Sequence, residues 1–181
     1  MGTQPEKQPL FATFTCAFTG HRNLSEPEPA VSARLEALLH QVIARGYQTF
    51  LSGMAWGFDL LAAEAVLKLK SQYPHIRLFA VLPCPSQEQT KYWQEGQKRR
   101  YHAVLEQACE ILTICPAYTS GCLTKRNQFL VQHSTLLIAY QTRSSGGTAA
   151  TVSYARQMGL WIVSCGPDGS VKSSGFSPDL C

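Results

Sequence analysis

Charge is scarce in this 181-residue chain: Asp, Glu, Lys and Arg make up only 15 % of it, where about a quarter is usual for globular domains. Aspartate is rarer still, since Asp59 is the only one before Asp168. No Asp or Glu stands between Glu110 and Asp168. No apolar run is long enough to cross a membrane. The opening MGTQPEKQPL has no apolar core of the kind a signal peptide carries. The seven cysteines are odd in number and contain no CxxC pair. Cys115 and Cys122 are close enough in sequence to meet across a loop, but a zinc site needs more ligands than the chain offers. No metal site is expected. Several cysteines sit in apolar runs such as ILTIC and WIVSC, which reads as small buried hydrophobes in a reducing cytoplasm.

What is present is an ordinary single-domain length and 45 % apolar residues, enough for a sizeable core. The formal net charge of +4 suits an anionic ligand but does not by itself argue for nucleic acid. Short apolar runs alternate with helix-period segments. Strands are expected at 12–19, 49–53, 76–82, 110–115, 134–140 and 160–165. Between them fall helices: one opened by Ser25 as cap with Glu28 three residues on and stopped at Gly46, one over about 59–71, one over 87–108 interrupted near Gly96, one over 122–133, and one from the Gly146–Gly147 pair to Met158. This alternation predicts an α/β, Rossmann-like three-layer sandwich with a mostly parallel sheet. Residues 1–11 read as a flexible N-terminal segment, 12–166 as one domain and 167–181 as a flexible tail.

In such sheets ligands bind beyond the carboxyl ends of the strands, so the residues just after strands carry the argument. Gly20, His21 and Arg22 follow the first strand. Ser52, Gly53, Ala55, Gly57 and Asp59 follow the second, in SGMAWGFD, where backbone N–H groups near a helix N terminus can face an anion. Asp59 taken alone reads as a helix cap, and Glu64 as a surface or ion-pair residue. Gly146, Gly147 and Thr148 form a further phosphate-loop candidate, though no Gly-Lys-Ser/Thr follows as a Walker loop requires. Arg126 and Asn127 lie on the helix before it, and arginine suits bidentate phosphate contact. Tyr92, Trp93, Lys98, Arg99, Arg100 and Tyr101 interleave basic and aromatic residues, a pattern that can grip single strands. The plainer alternative there is packed aromatics with solvated charges.

FTGHR (18–22), SGMAWGFDLLAAE (52–64), LPC (82–84), Trp93, KRN (125–127) and GGTAATVSYA (146–155) occur in this order. Together they resemble the SLOG superfamily, which groups the DNA-processing protein (DprA/Smf) with the LOG phosphoribohydrolases, and most closely a branch of small bacterial SLOG proteins. The resemblance spans about residues 12–166. It implies a Rossmann-like fold, a nucleoside phosphate or NAD/ADP-ribose-like ligand, and self-association into a homodimer. SGMAWGFD matches the glycine-rich motif of the DNA-processing protein. Arg126 falls where the phosphoribohydrolases keep a functional arginine, and Gly146, Gly147 and Thr148 match their phosphate loop. Those hydrolases carry a glutamate soon after the double glycine. Here the stretch is Ala149-Ala150-Thr151-Val152-Ser153-Tyr154, without a carboxylate.

The leading expectation is therefore a cytoplasmic nucleotide-ligand binding protein, a simple binder or a sensor. The first alternative is a nucleoside-5′-monophosphate N-glycosidase with Asp59 or Glu64 as the acid. The second is single-stranded DNA binding.

Overall fold

The computed structural model describes residues 13–167. The terminal segments expected to be loose lie outside these residues, apart from Pro167. Strand β1 (Thr15–Gly20) leads to α1 (Glu28–Ala44), β2 (Thr49–Ser52), α2 (Phe58–Leu69) and β3 (Arg77–Leu82). Then come α3 (Ser86–Gln89), α4 (Glu95–Leu105), β4 (Glu110–Thr113), α5 (Cys122–Gln132), β5 (Leu136–Tyr140), α6 (Gly147–Gln157) and β6 (Trp161–Ser164).

The sheet has six strands in the order β4-β3-β2-β1-β5-β6, and every pairing is parallel. Helices α1, α2 and α4 pack on one another over one face, and α5 with α6 over the other. Both faces are thus covered, which is why β1, β2 and β5 read as runs of buried residues rather than alternating ones. One core cluster lies under α1 and α2, around Phe18, Leu35, Phe50 and Leu60. A second lies under α5 and α6, around Leu51, Leu137, Val152 and Ile162. The chain steps outward from β1 to β4, crosses back through α5, and resumes beside β1 with β5. That reversal puts the crevice of a doubly wound sheet at the carboxyl ends of its central strands.

Two local expectations fail. Ser25 does not cap α1. The helix begins after Pro27, with no side-chain cap bond: Pro27 holds the cap position without a side-chain acceptor, and it removes one of the two amides that a Ser25 cap would serve. The Ser25 hydroxyl instead lies 3.0 Å from the Tyr140 hydroxyl. The expected helix 87–108 is two helices, and the break falls at residues 90–94 rather than at Gly96. Thr90 closes the first piece by bonding back to the Ser86 carbonyl at 2.8 Å, and the Gln97 side chain accepts from the Gln94 amide at 3.0 Å to open the second.

Candidate functional site

Arg126 projects from α5 on one face of the sheet and reaches Asp59 at the start of α2 on the other. Its Nη1 donates to the Gly53 carbonyl and lies 3.4 Å from Asp59 Oδ2. Both residues are buried, at 5 % exposure each. Gly53 has to be glycine, because a Cβ there would overlap the guanidinium. Burial pushes the Asp59 carboxyl up to about 6, against the pull of Arg126. Burial likewise pulls the Arg126 guanidinium down. Asp59 Oδ1 and Arg126 Nε are buried without a hydrogen-bond partner among the described residues. Asp59 is not a helix cap: Gly57, at φ 91°, holds the cap position and no side chain bonds there.

The β1 loop is locked over the same helix start. The His21 carbonyl accepts from Phe58 N–H at 3.2 Å, and the Ala55 carbonyl from Leu60 N–H at 3.2 Å. The Phe58 amide, in the stretch expected to face an anion, is thus spent inside the protein. Gly57 lies against the Arg22 and His21 carbonyls, and Gly20 against Phe58, too close for a Cβ at either. His21 is buried, and its Nε2 accepts from Thr142 N–H at 3.0 Å, tying this loop to the one after β5. Burial, and then Arg143, hold the His21 ring below its ordinary pKa. The neutral ring is the form that can accept. Ser52 is internal too: its hydroxyl donates to the Asp59 carbonyl at 2.8 Å and accepts from Met54 N–H at 3.1 Å.

Beside this scaffold opens a cleft of about 610 Å³. Arg22, Ala55 and Arg126 line it, so three of the expected residues from three different segments converge there. Trp56, Gln89, Lys91, Tyr92, Trp93 and Tyr118 complete much of the wall. Cys84 lines it as well, with its thiol pushed up to about 11 by burial and with Cys122 and Cys115 as neighbours. All three are buried free thiols. Cationic Arg22, Lys91 and Arg126 outnumber the one lining carboxylate, Glu88, which accepts from Tyr118 N–H.

Other expected residues lie elsewhere. Gly146 and Gly147 are exposed at the start of α6, with Thr148 buried beside them, and none lines the cleft. Asn127 is half-buried and also off the cleft. Glu64 pairs with Arg100 at 2.7 Å. Of the basic–aromatic segment, Tyr101 is core, Arg100 is held by Glu64 and Glu28, and Lys98 pairs with Glu95 at 2.9 Å. Only its leading aromatics, Tyr92 and Trp93, reach the cleft. Gln89, Lys91 and Tyr118 escaped the sequence reading: Gln89 and Lys91 flank the unforeseen end of α3, and Tyr118 sits in the loop between β4 and α5, whose position no periodicity encodes.

The family model described as YspA SLOG family (YpsA) matches residues 20–159. The chain belongs to that family. A relative, the UPF0398 protein BH1768 of Halalkalibacterium halodurans, is 34 % identical over 140 residues, 76 % of this chain and 71 % of the relative. Among solved structures, DNA processing protein A (DprA) of Streptococcus pneumoniae superposes with a TM-score of 0.62 at 16 % identity, over 84 % of this chain and 50 % of that one. DNA processing protein A of Helicobacter pylori, whose structure describes a single-stranded DNA binding mode, gives 0.59 at 18 %, over 83 % and 64 %. At these identities the likeness is one of fold. The chain thus spans half the length of the Streptococcus protein. Among the described residues no helix is long and apolar enough to cross a membrane.

Proposed function

We propose that this SLOG protein binds a nucleotide-type phosphate ligand in the cleft beside Arg126 and acts as a binder or sensor. The observation that carries the reading is the convergence of Arg22, Lys91 and Arg126, from three segments, on one concavity at the carboxyl edge of a parallel sheet. Arg22 and Lys91 are exposed and supply charge to a phosphate, and Arg126 supplies a charge fixed by Asp59 and Gly53. The Gly146–Gly147–Thr148 turn lies off the cleft, so it is a second phosphate contact only for a ligand that extends beyond the cleft, such as an NAD- or ADP-ribose-like molecule.

Binding without turnover is favoured because neither Asp59 nor Glu64 lines the cleft and each is already held by an arginine. The test is a thermal-shift screen of nucleoside monophosphates, NAD and ADP-ribose, with each solution then assayed for free base. A ligand at about a hundred times its Kd adds roughly 2.7 kcal/mol. A shift with intact ligand supports the reading, release of base favours the N-glycosidase, and no shift by any of them rejects the site.

One observation favours a second reading. Tyr92 and Tyr118 are 88 % and 60 % exposed at the cleft, beside Lys91, a stacking surface of the kind single strands use. A single-stranded oligonucleotide that binds at low salt and is released steeply as salt rises would support it.

A further inference from the structure

Four aromatic side chains, Trp56, Tyr92, Trp93 and Tyr118, line the cleft, and phosphate recognition leaves them unused. Trp56 is braced by the Arg100 guanidinium, 5.3 Å from its ring centroid, and Arg100 is itself held by Glu64 and Glu28. Trp93 meets Trp56 edge-on at 6.1 Å and buried Tyr101 at 5.3 Å. These indoles are fixed from behind by the protein, whereas Tyr92 and Tyr118 leave most of their area in water. Aromatic rings fixed in this way are preorganised for a flat partner.

Gln89 adds a polar group to the same lining. Its Nε2 donates to the Met54 carbonyl at 2.8 Å. A carbonyl can only accept, so that bond fixes which end of the amide is nitrogen. Its Oε1 is then an acceptor, buried and without a donor among the described residues. A buried acceptor is costly until a donor meets it. The carbonyl it holds belongs to Met54, the one non-glycine described residue with positive φ, at 55°, so the amide is anchored to a constrained turn.

We propose that these aromatic side chains seat the planar base of the nucleotide, and that Gln89 Oε1 accepts from an exocyclic amino group on the edge of that base. The ligand is then an amino-bearing nucleotide, of adenine, cytosine or guanine, in preference to the oxo counterpart. This rests on the phosphate reading of the same cleft.

The full chain carrying Trp161→Phe provides the assay. Trp161 lies on β6 away from the cleft, and its removal leaves Trp56 and Trp93 as the fluorescent reporters. AMP, CMP and GMP are titrated against IMP, UMP and XMP, with ribose 5-phosphate as the baseless control. The tightest ligand is expected to bear the amino group and to quench the indoles. Its oxo counterpart should bind at least about tenfold more weakly, the loss of one bond to a buried acceptor, and ribose 5-phosphate more weakly still. Tyr92→Ala with Tyr118→Ala, at exposed positions that leave the fold intact, should bring the nucleotide toward ribose 5-phosphate. Gln89→Leu should level the amino and oxo pair. Ribose 5-phosphate binding as well as every nucleotide overturns the base subsite alone. Equal affinity within each amino/oxo pair overturns the role of Gln89. Binding by none of the seven compounds rejects the phosphate reading itself.

Discussion

The Arg126 guanidinium stands where a side chain on Gly53 would have to go. The glycine after β2 is therefore required by an arginine from the opposite helical layer, and the pair joins the two faces of the sheet across its carboxyl edge. The same arginine borders the cleft, so the packing of the fold and the charge of the site share one side chain.

Gly53→Ala should destabilise the protein by about 1–3 kcal/mol, the usual cost of forcing extra volume into a packed site. Gly147→Ala should do the reverse. No atom lies within 4 Å of a Cβ there, its φ is not positive, and alanine at a position it adopts without strain gains about 0.4–1 kcal/mol over glycine, chiefly by restricting the unfolded chain. Urea unfolding of the two variants beside the wild type measures both. A stable Gly53→Ala protein would refute the close approach of Arg126.

Arg126→Met should cost about 3–5 kcal/mol, because it leaves the buried Asp59 carboxylate unpaired. Adding Asp59→Asn should recover part of that loss in a double-mutant cycle. The pair also sets a pH dependence. Folding raises Asp59 to about 6, from about 3.9 for an unfolded aspartate. The folded state thus holds this proton more tightly. The group's stabilising contribution is complete below about pH 3.9 and is lost as pH rises through about 6. The unfolding free energy of the wild type relative to Asp59→Asn should fall by about 2–3 kcal/mol across that window. A pH-independent difference would contradict it.

His21 carries the opposite sign. Its ring is held below its ordinary pKa by burial and by Arg143, and only the neutral ring accepts the Thr142 N–H. Its contribution is complete above the unfolded value of about 6.5 and is lost as pH falls through the lowered one. An NMR titration should find His21 ionising below 6.5, with the Thr142 amide signal following the same curve. Ionisation at or above 6.5, or a Thr142 signal that ignores it, would refute the tie.

The strands and most helices were legible in the sequence because each is a local signal: apolar runs between Gly and Pro, and the α1 face Val31, Leu35, Leu38, Val42 and Ile43, of which Leu38 is only half-buried while Leu39 takes the place in the core. The cleft was legible in part. Arg22, Ala55 and Arg126 follow from a parallel sheet binding at its carboxyl edge. What pattern could not supply was partnership across distance. Asp59 reads as a cap, yet a residue 67 positions away claims its carboxylate. Arg100 reads as a free cation, yet Glu64 and Glu28 from two other helices hold it. The break after Gln89 turns on the Thr90 hydroxyl bonding Ser86, a choice that helical periodicity does not encode, and it brings Gln89, Lys91 and Tyr92 to the cleft.

Arg22 separates the site from its scaffold. It is exposed and lines the cleft, so Arg22→Gln should leave stability within about 0.5 kcal/mol of the wild type, as surface changes do. If phosphate binds there, losing one charge-assisted hydrogen bond should weaken ribose 5-phosphate or nucleotide binding about tenfold or more. Lys91→Gln should act in the same direction. Arg126→Met lowers stability as well as affinity, so on its own it cannot distinguish a lost contact from a loosened cleft. Calorimetric titration and urea unfolding on all three variants resolve this. Affinity lost in Arg22→Gln at unchanged stability puts the phosphate in the cleft. Affinity lost only in Arg126→Met assigns the effect to the scaffold and sends the search for the phosphate to the Gly146–Gly147 turn.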